Sequence, residues 1–182
     1  NLSYTLSFAA DRLAWNGGFH YNKVHNMALL DVDGTLPGQT LFTSAESPVV
    51  VRGLDFTLTY KLTPNLEGTV AAEKTHYRFD PGTLVYARPE ERVYLVLDYN
   101  PGPIDLMARA TWTGKQDLAR FYDYANNPRH NFDGTPKLNK SPSFWIVDVR
   151  GEYRFGKRWS GFAGIDNVFD YKQSDQENFL WI

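Results

Sequence analysis

Trp145-Ile146-Val147-Asp148-Val149-Arg150-Gly151-Glu152-Tyr153-Arg154-Phe155 decides how the rest of the chain is read. Trp145, Val147, Val149, Tyr153 and Phe155 fall on alternate positions, with Asp148, Arg150, Glu152 and Arg154 between them. A period of two puts successive side chains on opposite faces of a strand, whereas a helix repeats about every 3.6 residues. One face of this strand is therefore aromatic and branched, and the other is a row of charges. A sheet in water rarely needs both faces in that form.

The same alternation recurs on either side. Ile104, Leu106, Ala108, Ala110 and Trp112 interleave with Asp105, Arg109, Thr111 and Thr113. Leu54, Phe56, Leu58 and Tyr60 interleave with Asp55, Thr57 and Thr59, and Leu2, Tyr4, Leu6 and Phe8 with Ser3, Thr5 and Ser7. The pattern predicts eight strands, at roughly 2–9, 13–25, 49–61, 66–79, 92–99, 103–115, 143–155 and 158–167. Several exceed the usual ~5 to 6 residues and match the ~9 to 11 that cross a bilayer at a tilt.

The connections sort by length. Ala10-Asp11-Arg12, Leu62-Thr63-Pro64-Asn65, Asn100-Pro101-Gly102-Pro103 and Gly156-Lys157 are tight, with Pro, Gly, Asn and Asp supplying turn geometry. Between them run long polar segments, at roughly 26–48, 80–91, 116–142 and beyond Asp170. Short and long alternate, so an up-and-down sheet gathers all short turns at one end and all long loops at the other, as in outer-membrane barrels. Phe8, Trp15, Tyr60, Tyr99, Phe155 and Trp159 lie near the short turns, where amphipathic rings would form a girdle at a membrane boundary. The apolar phase would then face lipid. The polar phase, with Asp55, Asp98, Arg109, Asp148, Arg150, Glu152 and Arg154, would face a wet lumen. One strand departs from the rule: Val70 and Ala72 share a phase with Lys74, His76 and Arg78. A bulge near Ala72-Glu73, or exit from the membrane there, would account for it. A soluble β-sandwich also alternates, but its strands are shorter and its loops are not sorted by length.

Composition narrows the classes. The chain has 182 residues, 42% hydrophobic and 15% aromatic, enough for one domain. A net charge of −2 lacks the basic excess of a nucleic-acid binder. Cysteine is absent, which removes disulfides and thiolate metal sites. No run approaches the ~18 to 20 apolar residues of a membrane helix. The chain starts at Asn1 inside an alternating strand, without a signal sequence, which suggests processing or a place within something longer.

Gly164-Ile165-Asp166-Asn167-Val168-Phe169-Asp170-Tyr171 resembles the Asn-[Leu/Val]-Phe-[Asp/Asn] box near the C-terminus of TonB-dependent outer-membrane receptors. Val147 to Lys157 looks like the strand and turn leading into that box, and Val51-Arg52-Gly53-Leu54-Asp55-Phe56 is similar to the start of an earlier barrel strand in the same family. The resemblance implies an all-β, antiparallel up-and-down transmembrane barrel of about 22 strands closed around a plug domain. Residues 1–182 would be a partial barrel domain of about eight strands, an internal fragment without the plug and with the final strand missing. The implied function is energy-coupled uptake of a large scarce nutrient (a ferric siderophore, a corrinoid or haem) across a bacterial outer membrane. The implied partners are outer-membrane lipid, the plug and remaining strands, TonB, and the transported ligand. Neither enzymatic activity, a cofactor nor a nucleic-acid partner is expected.

Two sets of residues are candidates for the site. Arg120, Phe121, Tyr122, Tyr124, Arg129 and His130 bring basic groups and aromatic faces together in one long loop, suited to an anionic, aromatic or metal-chelate ligand; Tyr86 and Arg88 form a second, weaker set. Arg109, Asp148, Arg150, Glu152 and Arg154 are expected to face the lumen, with Arg150 and Arg154 docking against the plug. His20, His25, His76 and His130 lack metal-motif spacing, and Asp31-Val32-Asp33-Gly34 lacks the later ligands of a calcium loop, with Thr35 and Phe42 in their places. Glu67, Glu73, Asp98 and the carboxylates Asp148 and Glu152 read as partners of nearby cations rather than as catalysts. A free-standing eight-stranded outer-membrane barrel with a structural or adhesive role is the alternative, and it requires the first and last strands to pair. An outer-membrane hydrolase would have to rely on Ser141 or Ser143 with His130, which no motif supports.

Overall fold

The computed structural model describes residues 2–31, 41–44, 47–78, 89–116 and 140–172. Alternation of β-branched and aromatic residues with polar ones produces strands here, as the period requires. They are β1 (Leu2–Ala9), β2 (Leu13–Val24), β3 (Ala28–Asp31), β4 (Leu41–Ser44), β5 (Val49–Thr63), β6 (Leu66–Arg78), β7 (Glu91–Tyr99), β8 (Ile104–Thr113), β9 (Phe144–Arg154) and β10 (Ser160–Ile165). Eight of them form one antiparallel sheet in the order β1-β2-β5-β6-β7-β8-β9-β10, so each strand lies beside its neighbour along the chain. The exception is a separate hairpin, β3-β4, within the long connection from β2 to β5, which the alternation pattern did not single out. Its strands have four residues each, too few to declare a period.

Tight turns join alternate pairs. Ala10 and Leu13 exchange backbone hydrogen bonds of 2.7 and 3.3 Å around Asp11-Arg12. Gly102 and Gly156 take φ of 75° and 88° in the turns after β7 and β9, a region that L side chains enter only at a cost. Pairing of β1 with β10, which a free-standing eight-stranded barrel demands, is not among the pairings of the described residues.

Residues directly opposite one another in an antiparallel pair share a face, so the register extends each strand's alternation across the sheet. Phe8-Trp15-Leu58-Val70-Leu95-Ala110-Val147 is one continuous row running from β1 to β9. Its flanking rows carry Leu6, Phe56, Ala72, Val93, Trp112 and Trp145 on one side and Tyr60, Leu97, Ala108 and Val149 on the other. Among the described residues only Val49 and Phe144 are buried apolar side chains, while Leu6, Phe8, Leu54, Leu97, Tyr153 and Phe155 are half or more exposed. An apolar face this wide and this exposed among the described residues marks a contact surface rather than a face turned to water.

Two expectations change. Pairing runs unbroken through Phe56–Ala72, Asp55–Glu73 and Leu54–Lys74, so there is no bulge at Ala72-Glu73; the shift falls between Lys61 and Thr63, at the short turn. Lys74, His76 and Arg78 therefore stay on the apolar face and extend beyond its apolar rows. The last strand is also shorter than 158–167, for a reason seen at its end. Ile165 faces Val149, yet Val147 is met by the Val168 N–H at 2.8 Å. One extra residue is absorbed at Asp166-Asn167, where Asn167 turns to φ 51°, the left-handed conformation that Asn tolerates better than most residues.

Candidate functional site

The polar face carries the lumen-directed candidates, and the register places all five of them on it. Arg109 lies opposite Asp148, with Nη2 to Oδ2 at 3.7 Å. Asp148 is the more enclosed partner, with its side chain 15% exposed against 52% for Arg109. Its other oxygen, Oδ1, accepts the Asn167 backbone N–H at 2.9 Å. Arg150 donates from Nη2 to Asp166 Oδ1 at 3.2 Å. Glu152 faces Asp105 on β8 and Phe162 on β10, and Arg154 faces Ser160. Asp148 thus anchors the segment after β10, and Arg150 is engaged within the chain, which sequence reasoning did not foresee.

The Asn-Val-Phe-Asp box is a fold device as well as a family mark. Asn167 Nδ2 donates to the Tyr171 carbonyl and its Oδ1 accepts the Tyr171 N–H, both at 3.0 Å. The Asp170 N–H donates to the Asn167 carbonyl at 2.8 Å, with Asp170 at φ 50°. The turn so made lays the Tyr171 ring on Phe144, centroids 4.5 Å apart and planes 10° from parallel. The Gln116 N–H donates to Ser141 Oγ at 3.0 Å and the Ser141 N–H donates to the Gln116 carbonyl at 3.0 Å. Ser141 is 1% exposed, so no substrate reaches its hydroxyl in this arrangement.

Toward the short-turn end the polar face becomes acidic. Glu67 is directly opposite Asp98, and Asp105 is directly opposite Glu152. Asp98, Asp105, Met107, Arg150, Glu152 and Phe162 line an open concavity of about 500 Å³. Phe162 is 88% exposed there, an apolar ring on a charged wall. Sequence reasoning missed Phe162 and Asp105 as site residues, although Phe162 could have been found by pairing Ser160, Phe162 and Gly164 against the charged row of β9. Glu73 lies 3.8 Å from Arg92, as its reading as an ion-pair partner requires, and Glu67 lies opposite Lys61. Asp98, by contrast, faces Glu67 and Met107 and has no ion pair among the described residues, against its reading as a partner of a nearby cation. The loop candidates Arg120, Tyr122, Tyr124, Arg129, His130, Tyr86 and Arg88 lie outside the described residues, as does most of the Asp31-to-Gly34 turn. Among the described residues no group of three His, Asp or Glu side chains is placed to hold a metal ion.

Comparison with known proteins agrees with this architecture. Over 124 residues the chain is 31% identical to the ferric enterobactin receptor of Pseudomonas aeruginosa, covering 66% of this chain and 16% of that protein. The fold superposes on the copper transporter OprC with a TM-score of 0.70 at 18% identity, covering 94% of this chain and 25% of that one. It superposes on the pyoverdine outer membrane receptor FpvA of Pseudomonas aeruginosa with a TM-score of 0.61 at 18% identity, covering 94% and 26%. The chain therefore spans about a quarter or less of the length of these relatives. Residues 1–168 match the family model described as TonB dependent receptor-like, beta-barrel. With that match over most of its length, the chain belongs to the TonB-dependent receptor β-barrel family.

Proposed function

We propose that these strands form part of the wall of a larger barrel in a bacterial outer membrane, through which a ferric siderophore, a corrinoid or haem is taken up. The observation that carries this reading is the separation of faces across the whole sheet: apolar rows unbroken from β1 to β9, backed by a mostly polar face that carries charges on β5 to β9. That arrangement suits lipid on one side and a plug-filled lumen on the other. The wall performs no covalent chemistry in this reading. Loops and plug bind the ligand, and energy delivered through TonB rearranges the plug to release it inward. Similarity to a ferric enterobactin receptor favours the ferric siderophore among the three.

The polar wall supplies the contact with the plug. Phe162 offers an exposed ring, and Arg154, Glu152 and Asp105 around it offer charges of both signs. Arg120, Tyr122, Tyr124, Arg129 and His130 in one long connection, with Tyr86 and Arg88 in another, are the proposed ligand contacts.

Uptake measurements test the reading. Cells lacking the protein are supplied with labelled ferric enterobactin, cyanocobalamin or haem, with TonB present and absent. Loss of TonB-dependent accumulation of one of them is the expected result. Undiminished accumulation of all three would overturn the proposal.

A further inference from the structure

The register places an unusual patch on the apolar face of β2, β5 and β6. One row reads Lys23-Val50-Arg78, the next Tyr21-Arg52-His76, and the next Phe19-Leu54-Lys74, followed by the wholly apolar row Gly17-Phe56-Ala72. Strands lie about 4.8 Å apart and same-face residues about 7 Å apart along a strand, so Lys23, Arg52 and Arg78 form a triangle roughly 7 to 10 Å on a side. All three are exposed, as are Lys74 and His76. Lys74 is matched by Glu91 at 2.6 Å, and His76 lies 3.4 Å from Glu90. No carboxylate among the described residues pairs with Lys23, Arg52 or Arg78.

We infer that this triangle binds the phosphate-bearing headgroup of an anionic membrane lipid in the leaflet on the long-loop side. The inference rests on the proposed membrane-spanning reading. Its position argues for a lipid, because the cations stand directly above the apolar rows and on the same face. Acyl chains can lie along Phe19, Leu54 and Phe56 while the headgroup reaches the guanidinium groups. Arg52 and Arg78 can each present two parallel N–H donors to phosphate oxygens, and Lys23 adds a third positive charge. Tyr21, opposite Arg52, is the kind of amphipathic ring found at headgroup depth. A ligand passing through the lumen would not reach this face. On the opposite faces of the same strands the matching rows are Asn22-Val51-Tyr77 and His20-Gly53-Thr75, which contain no Lys or Arg.

Native mass spectrometry of the whole protein extracted from membranes in mild detergent tests this, with phosphatidylglycerol and phosphatidylcholine of identical acyl chains as probes. The wild type is expected to prefer phosphatidylglycerol, each of Lys23→Gln, Arg52→Gln and Arg78→Gln to weaken that preference about five-fold, and the triple variant to remove it. A triple variant that keeps the preference, or a wild type that shows none, would overturn the inference. The single variants carry the test if the triple variant fails to fold. Gel mobility with and without boiling, measured in parallel, reports the folded barrel: its absence from the wild type removes the membrane reading itself, whereas heat-shifting proteins with no lipid preference remove only the headgroup site.

Discussion

The Asn167 backbone N–H and the Asp148 carboxylate meet at 2.9 Å, joining the turn after β10 to the middle of β9. The same carboxylate faces Arg109 at 3.7 Å on β8. Three successive stretches of chain are thus tied through one partly enclosed side chain, at the point where the sheet absorbs an extra residue.

Replacing Asn167 should therefore cost more than a surface residue does. Asn167→Ala loses two side-chain hydrogen bonds to Tyr171 and must hold φ 51° without the polar side chain that favours it. With about 0.5 to 1.5 kcal/mol per hydrogen bond and about 1 to 2 kcal/mol for the left-handed backbone, the expected loss is about 2 to 5 kcal/mol. Asn167→Gly removes the same bonds without the backbone strain and should lose less. Urea unfolding of the barrel in lipid vesicles measures both.

Gly53 should tolerate no side chain. A Cβ there would meet the His20 ring on the opposite strand and stand 2.9 Å from the Lys74 carbonyl oxygen. Gly53→Val is expected to reduce the folded, heat-shifting fraction, and His20→Ala should restore only part of it, because the backbone carbonyl remains in the way. Full recovery in the double variant would show that the imidazole alone sets the limit.

The two faces should respond oppositely to charge. From Trp145 to Phe155 along β9 spans roughly 25 Å across a bilayer at a 40° tilt, which puts Val149 near its centre. Val149→Arg is expected to cost about 2 to 4 kcal/mol in lipid, whereas Thr57→Arg on the polar face should change stability by about 0.5 kcal/mol or less. Equal costs at the two positions would contradict the assignment of faces.

Ion pairs on the polar face should matter for contact more than for stability. Arg150 and Asp166 are 63% and 71% exposed, so Arg150→Ala is expected to cost at most about 1 kcal/mol. Arg154→Glu combined with Phe162→Asp should leave unfolding unchanged and alter plug retention and uptake. Unchanged uptake in that double variant would argue against the polar wall as the plug contact.

What the sequence by itself determined was the period, the two faces and the order of strands. Alternation at Trp145 to Phe155 is a local property that any extended segment of this composition displays. Sorting turns by length then fixes which strands are antiparallel neighbours, since a two-residue link such as Asp11-Arg12 allows nothing else. The membership of Arg109, Asp148, Arg150, Glu152 and Arg154 in one polar face followed from parity alone. Tertiary structure decided everything that depends on register. That Lys23, Arg52 and Arg78 cluster, that Asp166 takes up Arg150, that the sheet shifts at Lys61 rather than Ala72, and that Phe162 stands among carboxylates each requires knowing which residue lies opposite which. Cross-strand pairing joins positions far apart in the chain, and it is set by turn geometry and by bulges that absorb single residues. Parity is blind to a slip of two and is inverted by a slip of one, so alternation could assign faces but not neighbours.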